Sequence, residues 1–246
     1  MADSAQDVPY TDLRIKEVSA GMWQDFYDEG RPFSRVSVYK NDFHSWIADE
    51  WTVTEVDAGG GDTSQILLDV RNGVLQLLSA QNEDDGCQIQ LGGTADGEAT
   101  GESWAPANGS NLWFECRFRM NDVTQQDIFV GLHINDTTII ASRGSDFIGF
   151  RTDDGDALLD AEATAGSAAT SSEVGIATLV DNTFITVGFK VTGTERIDFY
   201  VNGTLEATQT TNIPTGLMKL SLAQLTGEAV ANSLEIDYVC VAQDRG

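Results

Sequence analysis

The sequence predicts an all-β protein: an antiparallel jelly-roll β-sandwich over residues 41–246, behind a mostly irregular N-terminal arm over residues 1–40. Three observations predict it. Short β-rich runs with period-two alternation recur from Asp42 onward, clusters of turn residues separate them, and helical periodicity is nearly absent. Many short strands punctuated by turns must bury one face each, and a sandwich is the simplest way to do so.

Taken in chain order, the arm comes first. Residues 1–40 mix polarities without strand alternation, and Trp23, Phe26, Tyr27 and Phe33 cluster around Gly30-Arg31-Pro32. A short helix over residues 19–27 would place Met22, Trp23 and Phe26 on one face. Strands are then expected at residues 65–70, 74–78, 88–91, 112–120, 128–134, 147–151, 184–191, 196–201, 218–225 and 233–241. Residues 112–120 show the alternation best. Leu112, Phe114, Cys116, Phe118 and Met120 face one way, into a core, while Trp113, Glu115, Arg117 and Arg119 face the other, into water. The same parity puts Ile185, Val187, Phe189 and Val191 inward, and then Ile197, Phe199 and Val201. Asn202-Gly203 closes a tight hairpin after the latter, because both central residues of a type I′ turn need positive φ. Residues 92–109 and 153–172 are rich in Gly, Ala, Ser, Thr and Asp and read as extended loops or flaps.

Composition bounds the partners. The 246 residues carry a formal charge of -25. Residues 1–40 hold 7 acids and 5 bases of the 39 and 14 in the chain, so the body keeps 32 acids and 9 bases, net -23. An anionic body opposes nucleic-acid binding, which needs clustered Lys and Arg, and suits solubility or a cationic partner. No apolar run approaches the ~20 residues that span a bilayer, so no membrane partner is expected. The opening Met-Ala-Asp-Ser-Ala-Gln-Asp has neither a basic nor an apolar leader segment, and synthesis in a cytoplasm is expected. Cys87, Cys116 and Cys240 are an odd number at wide spacings within alternating segments, which reads as small buried hydrophobes.

Chemistry-bearing motifs are few. Glu235-Ile236-Asp237-Tyr238-Val239-Cys240 echoes the Glu-x-Asp-x-x-Glu strand of laminarinase-type hydrolases, but Cys240 stands where the second carboxyl of a retaining pair is needed. His133 lies opposite in parity to Leu132 and Ile134 and should face solvent or a groove, and His44 sits beside Trp46 near the start of the body. Neither has a nucleophile motif nearby. Asp153-Asp154-Gly155-Asp156 breaks the EF-hand pattern at Leu158 and reads as a turn. No catalytic residue, metal or cofactor is assigned, and the expectation is a protein that is not an enzyme.

The run from Leu112 through Trp113-Phe114-Glu115 and Val123-Thr124 to Val130-Gly131-Leu132 resembles a segment of structural proteins of tailed bacteriophages. So do Asp146-Phe147-Ile148-Gly149-Phe150, Phe199-Tyr200-Val201-Asn202-Gly203 and Ile236-Asp237-Tyr238-Val239. These proteins are similar to concanavalin A and laminin-G jelly rolls. The resemblance implies a virion component, a head decoration or cement protein on the major capsid protein lattice, made in the host cytoplasm and assembled as a homo-oligomer, by preference a trimer. Under that reading Trp23, Phe26, Tyr27 and Phe33 of the arm are the capsid contact, since aromatics dominate interface hot spots. The alternative is a carbohydrate-binding module for host adhesion, with Trp104 and Trp113 as the exposed aromatic platform that a surface glycan requires.

Overall fold

The computed structural model describes residues 22–23, 35–56, 64–92, 103–141, 146–166 and 170–245. These form fifteen strands: β1 (Val36–Asn41), β2 (Trp51–Val56), β3 (Ser64–Leu68), β4 (Val74–Leu78), β5 (Gly86–Leu91), β6 (Asn111–Met120), β7 (Gln126–His133), β8 (Phe147–Thr152), β9 (Leu158–Thr164), β10 (Ser171–Thr178), β11 (Ile185–Thr192), β12 (Arg196–Val201), β13 (Thr204–Gln209), β14 (Lys219–Thr226) and β15 (Ser233–Asp244). Every pairing is antiparallel. An eight-stranded sheet runs β13-β12-β11-β6-β15-β4-β3 with β1 also on β15, and a seven-stranded sheet runs β10-β9-β8-β7-β14-β5-β2. The two sheets stack into the expected sandwich.

Alternation decides the core. Phe114, Phe118, Val187, Phe189 and Phe199 of one sheet meet Ile128, Val130, Phe150, Leu220 and Leu222 of the other in a single buried cluster. Phe114 and Phe189, directly opposite in register, stack at 4.9 Å. The Asn202-Gly203 turn forms as expected, with φ of 47° and 82°.

One irregularity rescues the pattern in β15. Leu234 and Ile236 point inward, but so do Val239 and Val241, which a regular strand would turn outward. A register shift between Ile236 and Tyr238 flips the parity and keeps all four in the core. At the same place β15 changes partner, from β4 along Ser233–Ile236 to β1 along Val239–Asp244.

Several expectations need correction. β1 lies within the segment expected to be arm and pairs along its whole length with β15, so the sandwich begins before residue 41. Its Val-Ser-Val-Tyr alternation was too short to stand out, and a partner more than 190 residues away by number completes it. The flap expected over residues 153–172 contains β9 and the start of β10. The inward residues of β9 are Leu159, Ala161 and Ala163, and small alanines leave little strand signal until β8 supplies the ladder. β2 was likewise unforeseen and pairs with β5. Of residues 92–109, those at 93–102 lie outside the described residues, while Trp104 bridges to Met218.

Candidate functional site: two covered sheet faces

A sandwich offers ligands two outer sheet faces. On the eight-stranded sheet β6 was expected to present Trp113, Glu115, Arg117 and Arg119 to water. Arg117 and Arg119 do lie at the surface, but Trp113 is fully buried and Glu115 nearly so. The cover is Met22-Trp23. The indoles of Trp23 and Trp113 stack at 6.2 Å and 15°, Trp113 Nε1 donates to the Met22 carbonyl at 3.1 Å, and Trp23 Nε1 donates to Glu115 Oε2 at 2.9 Å. The second carboxylate oxygen accepts from the Tyr238 hydroxyl at 2.8 Å. Gly188 makes room, since a Cβ there would lie 2.8 Å from the Met22 methyl.

Charge follows from this burial. Desolvation, and then the Glu115 carboxylate, push the Cys240 thiol up to about 12 and the Tyr238 hydroxyl well above its ordinary value. Further along the face Arg117 pairs with Asp237, Arg119 Nε donates to Glu235 Oε2 at 2.7 Å, and both guanidiniums lie over the Phe184 ring. Glu235 and Asp237, the carboxylates of the hydrolase-like echo, are therefore both engaged by arginine.

The seven-stranded sheet has a cover of its own. A strap over residues 134–141 crosses its outer face, and polar side chains from β5 and β8 grip the strap's backbone while one from β14 holds a strap side chain. Gln88 donates to the Asp136 carbonyl at 2.7 Å and accepts from Ile139 N at 3.0 Å. Gln90 donates to the Ile134 carbonyl at 2.8 Å and accepts from Asp136 N at 3.0 Å. Lys219 Nζ reaches Asn135 Oδ1 at 3.0 Å, and Arg151 donates to the Ile139 and Ile140 carbonyls. Beneath the strap Ile139 packs into Phe129, Phe147 and Ala223, and Arg151 faces Glu162 at 3.6 Å, both buried. A buried ion pair contributes little net stability, but breaking it leaves an uncompensated charge.

Trp23 is buried on its own sheet, while Phe26, Tyr27 and Phe33 lie outside the described residues. Trp104 and Trp113 are both buried, so neither presents the ring face that a glycan platform needs. His133 points out of the sheet as its parity requires but does not reach solvent, because the strap closes over it and its ring stacks on Phe147 at 5.6 Å. His44 is exposed beside a recess of about 240 Å³ lined by Phe43, Leu67, Leu68, Asp69, Val70 and Gly73. Cys87 and Cys116 are buried and Cys240 partly so.

Residues 153–156 form the expected turn, with Gly155 at φ 101° and Asp156 Oδ1 accepting from Leu158 N at 2.8 Å. Beside it Asp127 accepts from Asp154 N at 2.5 Å, and burial, with Asp154 and Asp153 close by, pushes its carboxyl up to about 6. Among the described residues no group of three or more His, Cys, Asp or Glu is placed to hold a metal ion. The strap itself was missed. Its signal was the apolar Ile139-Ile140 pair in a polar loop, matched by amides at alternate positions of β5.

Comparison with solved structures fixes the architecture. A lichenase, a β-1,3-1,4-glucanase derived from a mouse hindgut metagenome, superposes with a TM-score of 0.59 at 12% identity, covering 83% of this chain and 98% of that one. The fold is a concanavalin A-like jelly roll. An endo-β-1,4-glucuronan lyase from Trichoderma reesei gives a TM-score of 0.54 at 10% identity over 82% of this chain and 94% of its own. A Shewanella oneidensis protein of unknown function gives 0.54 at 16% identity, over 85% and 87%. No family model and no curated protein matches the chain. The likenesses establish the sandwich and correct one expectation: this scaffold carries a lyase and a glucanase, so the fold gives no ground for setting catalysis aside. The run from Leu112 to Leu132 that carried the phage resemblance turns out to be β6, a turn and β7, whose inward residues are core.

Proposed function

We propose that this chain is a structural component of a bacteriophage particle, a decoration protein that covers the major capsid protein lattice as a homo-oligomer on the capsid surface. The observation that carries the reading is the strap across the seven-stranded sheet, together with the partial cover of the other. Gln88, Gln90 and Arg151, polar side chains on the outer face of the seven-stranded sheet, are engaged by the strap's own backbone, and Lys219 by the side chain of Asn135. Met22-Trp23 occupies part of the other face. A body closed in this way meets partners through its rims, strand edges and arm, which suits a tile on a protein surface. The resemblance of residues 112–132 and three shorter runs supplies the phage assignment. Purified protein mixed with undecorated heads of the encoding phage should co-sediment to a saturable stoichiometry. A failure to co-sediment at micromolar concentration overturns the proposal.

A second reading is favoured by one observation, the sandwich shared with a lichenase and a glucuronan lyase. It is a glycan-directed protein, binding or cleaving, whose site opens when the strap lifts. Binding on a glycan array, or release of reducing ends from a β-glucan, would favour it over the first.

A further inference from the structure

Two cations are buried among the described residues, Arg151 and Lys219, each 1% exposed, and both lie under the strap. Taking a charge out of water is costly, and burial favours the neutral form of an amine. Arg151 is answered by the Glu162 carboxylate at 3.6 Å. Lys219 meets a neutral amide instead, its Nζ donating to Asn135 Oδ1 at 3.0 Å. A guanidinium keeps its charge wherever it lies, but a lysine that sheds its proton becomes a nucleophile.

The surroundings hold this pair in place. Lys219 opens β14 in register with His133 of β7, so the two side chains leave the same face of the sheet as neighbours. His133 is buried and stacked on Phe147, and its Nδ1–H donates to the Ile134 carbonyl at 2.9 Å, which puts the ring's lone pair on Nε2. Asn135 stands at the start of the strap with both flanking residues clamped: Ile134 N donates to the Asp146 carbonyl at 3.1 Å, and Gln90 takes the Ile134 carbonyl and Asp136 N. Unlike the amine, Asn135 is exposed, so a group released from its amide has a path to water.

We infer that Lys219 and Asn135 join in an intramolecular isopeptide bond. The Lys219 Nζ lone pair attacks Asn135 Cγ. The Nζ–Cγ bond forms, the Cγ–Nδ2 bond breaks, and His133 carries the proton from Nζ to Nδ2, which leaves as ammonia. Nothing is oxidised or reduced, and the proton that Lys219 gave up to become neutral leaves with the ammonia as ammonium. Amide exchange of this kind is negligible between free side chains, but reactants fixed in contact reach effective molarities of about 10⁵–10⁸ M. The product ties the strap to β14 across 84 positions of sequence and makes a hydrogen-bonded cover permanent. The inference does not depend on the capsid reading, and a strap fixed in this way stays down, which sets it against the glycan-directed one.

Mass spectrometry of the denatured full chain tests it. The wild type should be lighter than its sequence mass by one ammonia. Trypsin does not cut after an acylated lysine, so the digest should contain one branched peptide joining residues 120–143 to residues 197–245. Lys219→Arg and Asn135→Ala should each keep the full mass and give separate linear peptides; the second, at an exposed position, leaves the fold undisturbed, and circular dichroism checks both. His133→Phe keeps a ring against Phe147 and should accumulate the bond at least tenfold more slowly after synthesis. A wild type that retains its full mass after prolonged incubation at pH 8 and 37 °C overturns the inference. So does a loss of ammonia without the branched peptide, which would mark a cyclised asparagine. An equal rate in His133→Phe overturns the proton route through His133.

Discussion

Replacing Trp23 should open the eight-stranded sheet without unfolding it, and the structure sets the size of the effect. Trp23→Phe keeps an aromatic ring against Trp113 but deletes the donor to Glu115. A hydrogen bond to a charged acceptor is worth about 1.5–3 kcal/mol. At 1.4 kcal/mol per tenfold, the undocked population should rise by roughly 10- to 150-fold. Trp23→Ala also loses the buried ring, a change that costs about 3–5 kcal/mol in a packed site, and should undock the segment by roughly two to three and a half orders of magnitude. Cys240 reports the event because it packs against the Met22, Trp23 and Trp113 cluster. Burial and the nearby carboxylate hold its thiol protonated, at about 12, so both exposure and a falling pKa speed its reaction once the cover lifts. Cys87 and Cys116 are fully buried and stay silent. Labelling with an aromatic disulfide reagent at pH 8 should therefore accelerate in the order wild type, Trp23→Phe, Trp23→Ala, while the melting temperature falls in the same order by about 2–4 °C for each kcal/mol lost. Equal labelling rates in all three proteins would refute the docking geometry.

Three other outcomes are expected. Asp127→Asn should raise the melting temperature at pH 7 and change little below pH 4. The folded carboxyl titrates near 6 against an ordinary 3.8, so the wild type loses stability as the pH rises between those values, and a thermal-shift series across pH 3–8 reads it. Gln88→Ala removes both strap bonds of that side chain, about 1 kcal/mol each, and should speed amide exchange at residues 136–139 by roughly 30-fold while β6 and β11 stay protected. Gly131→Ala should destabilise the sandwich by about 1–3 kcal/mol in urea titration, since a Cβ there would sit 2.3 Å from the Ile148 carbonyl oxygen in the neighbouring strand.

The strands and their inward faces were legible because period-two alternation needs no partner to be read. Leu112, Phe114, Cys116, Phe118 and Met120 announce one buried face by themselves, and Asn202-Gly203 announces its turn through the φ values that it tolerates. Where the inward residues are small, as in β9, or the run is short, as in β1, that signal fades and the paired neighbour decides the conformation.

The outward faces were not legible, for a different reason. Alternation says that Trp113, Glu115 and His133 point away from the core, and they do, but it cannot say what lies above them. Trp23 reaches Glu115 across 92 positions of sequence, and Gln88 reaches Asp136 across 48. The sequence by itself determined which side of each strand is apolar, a local property of successive Cβ directions. Only the tertiary structure decided that Trp113, Glu115 and His133 are covered, because cover depends on which distant segment the folded chain brings across them.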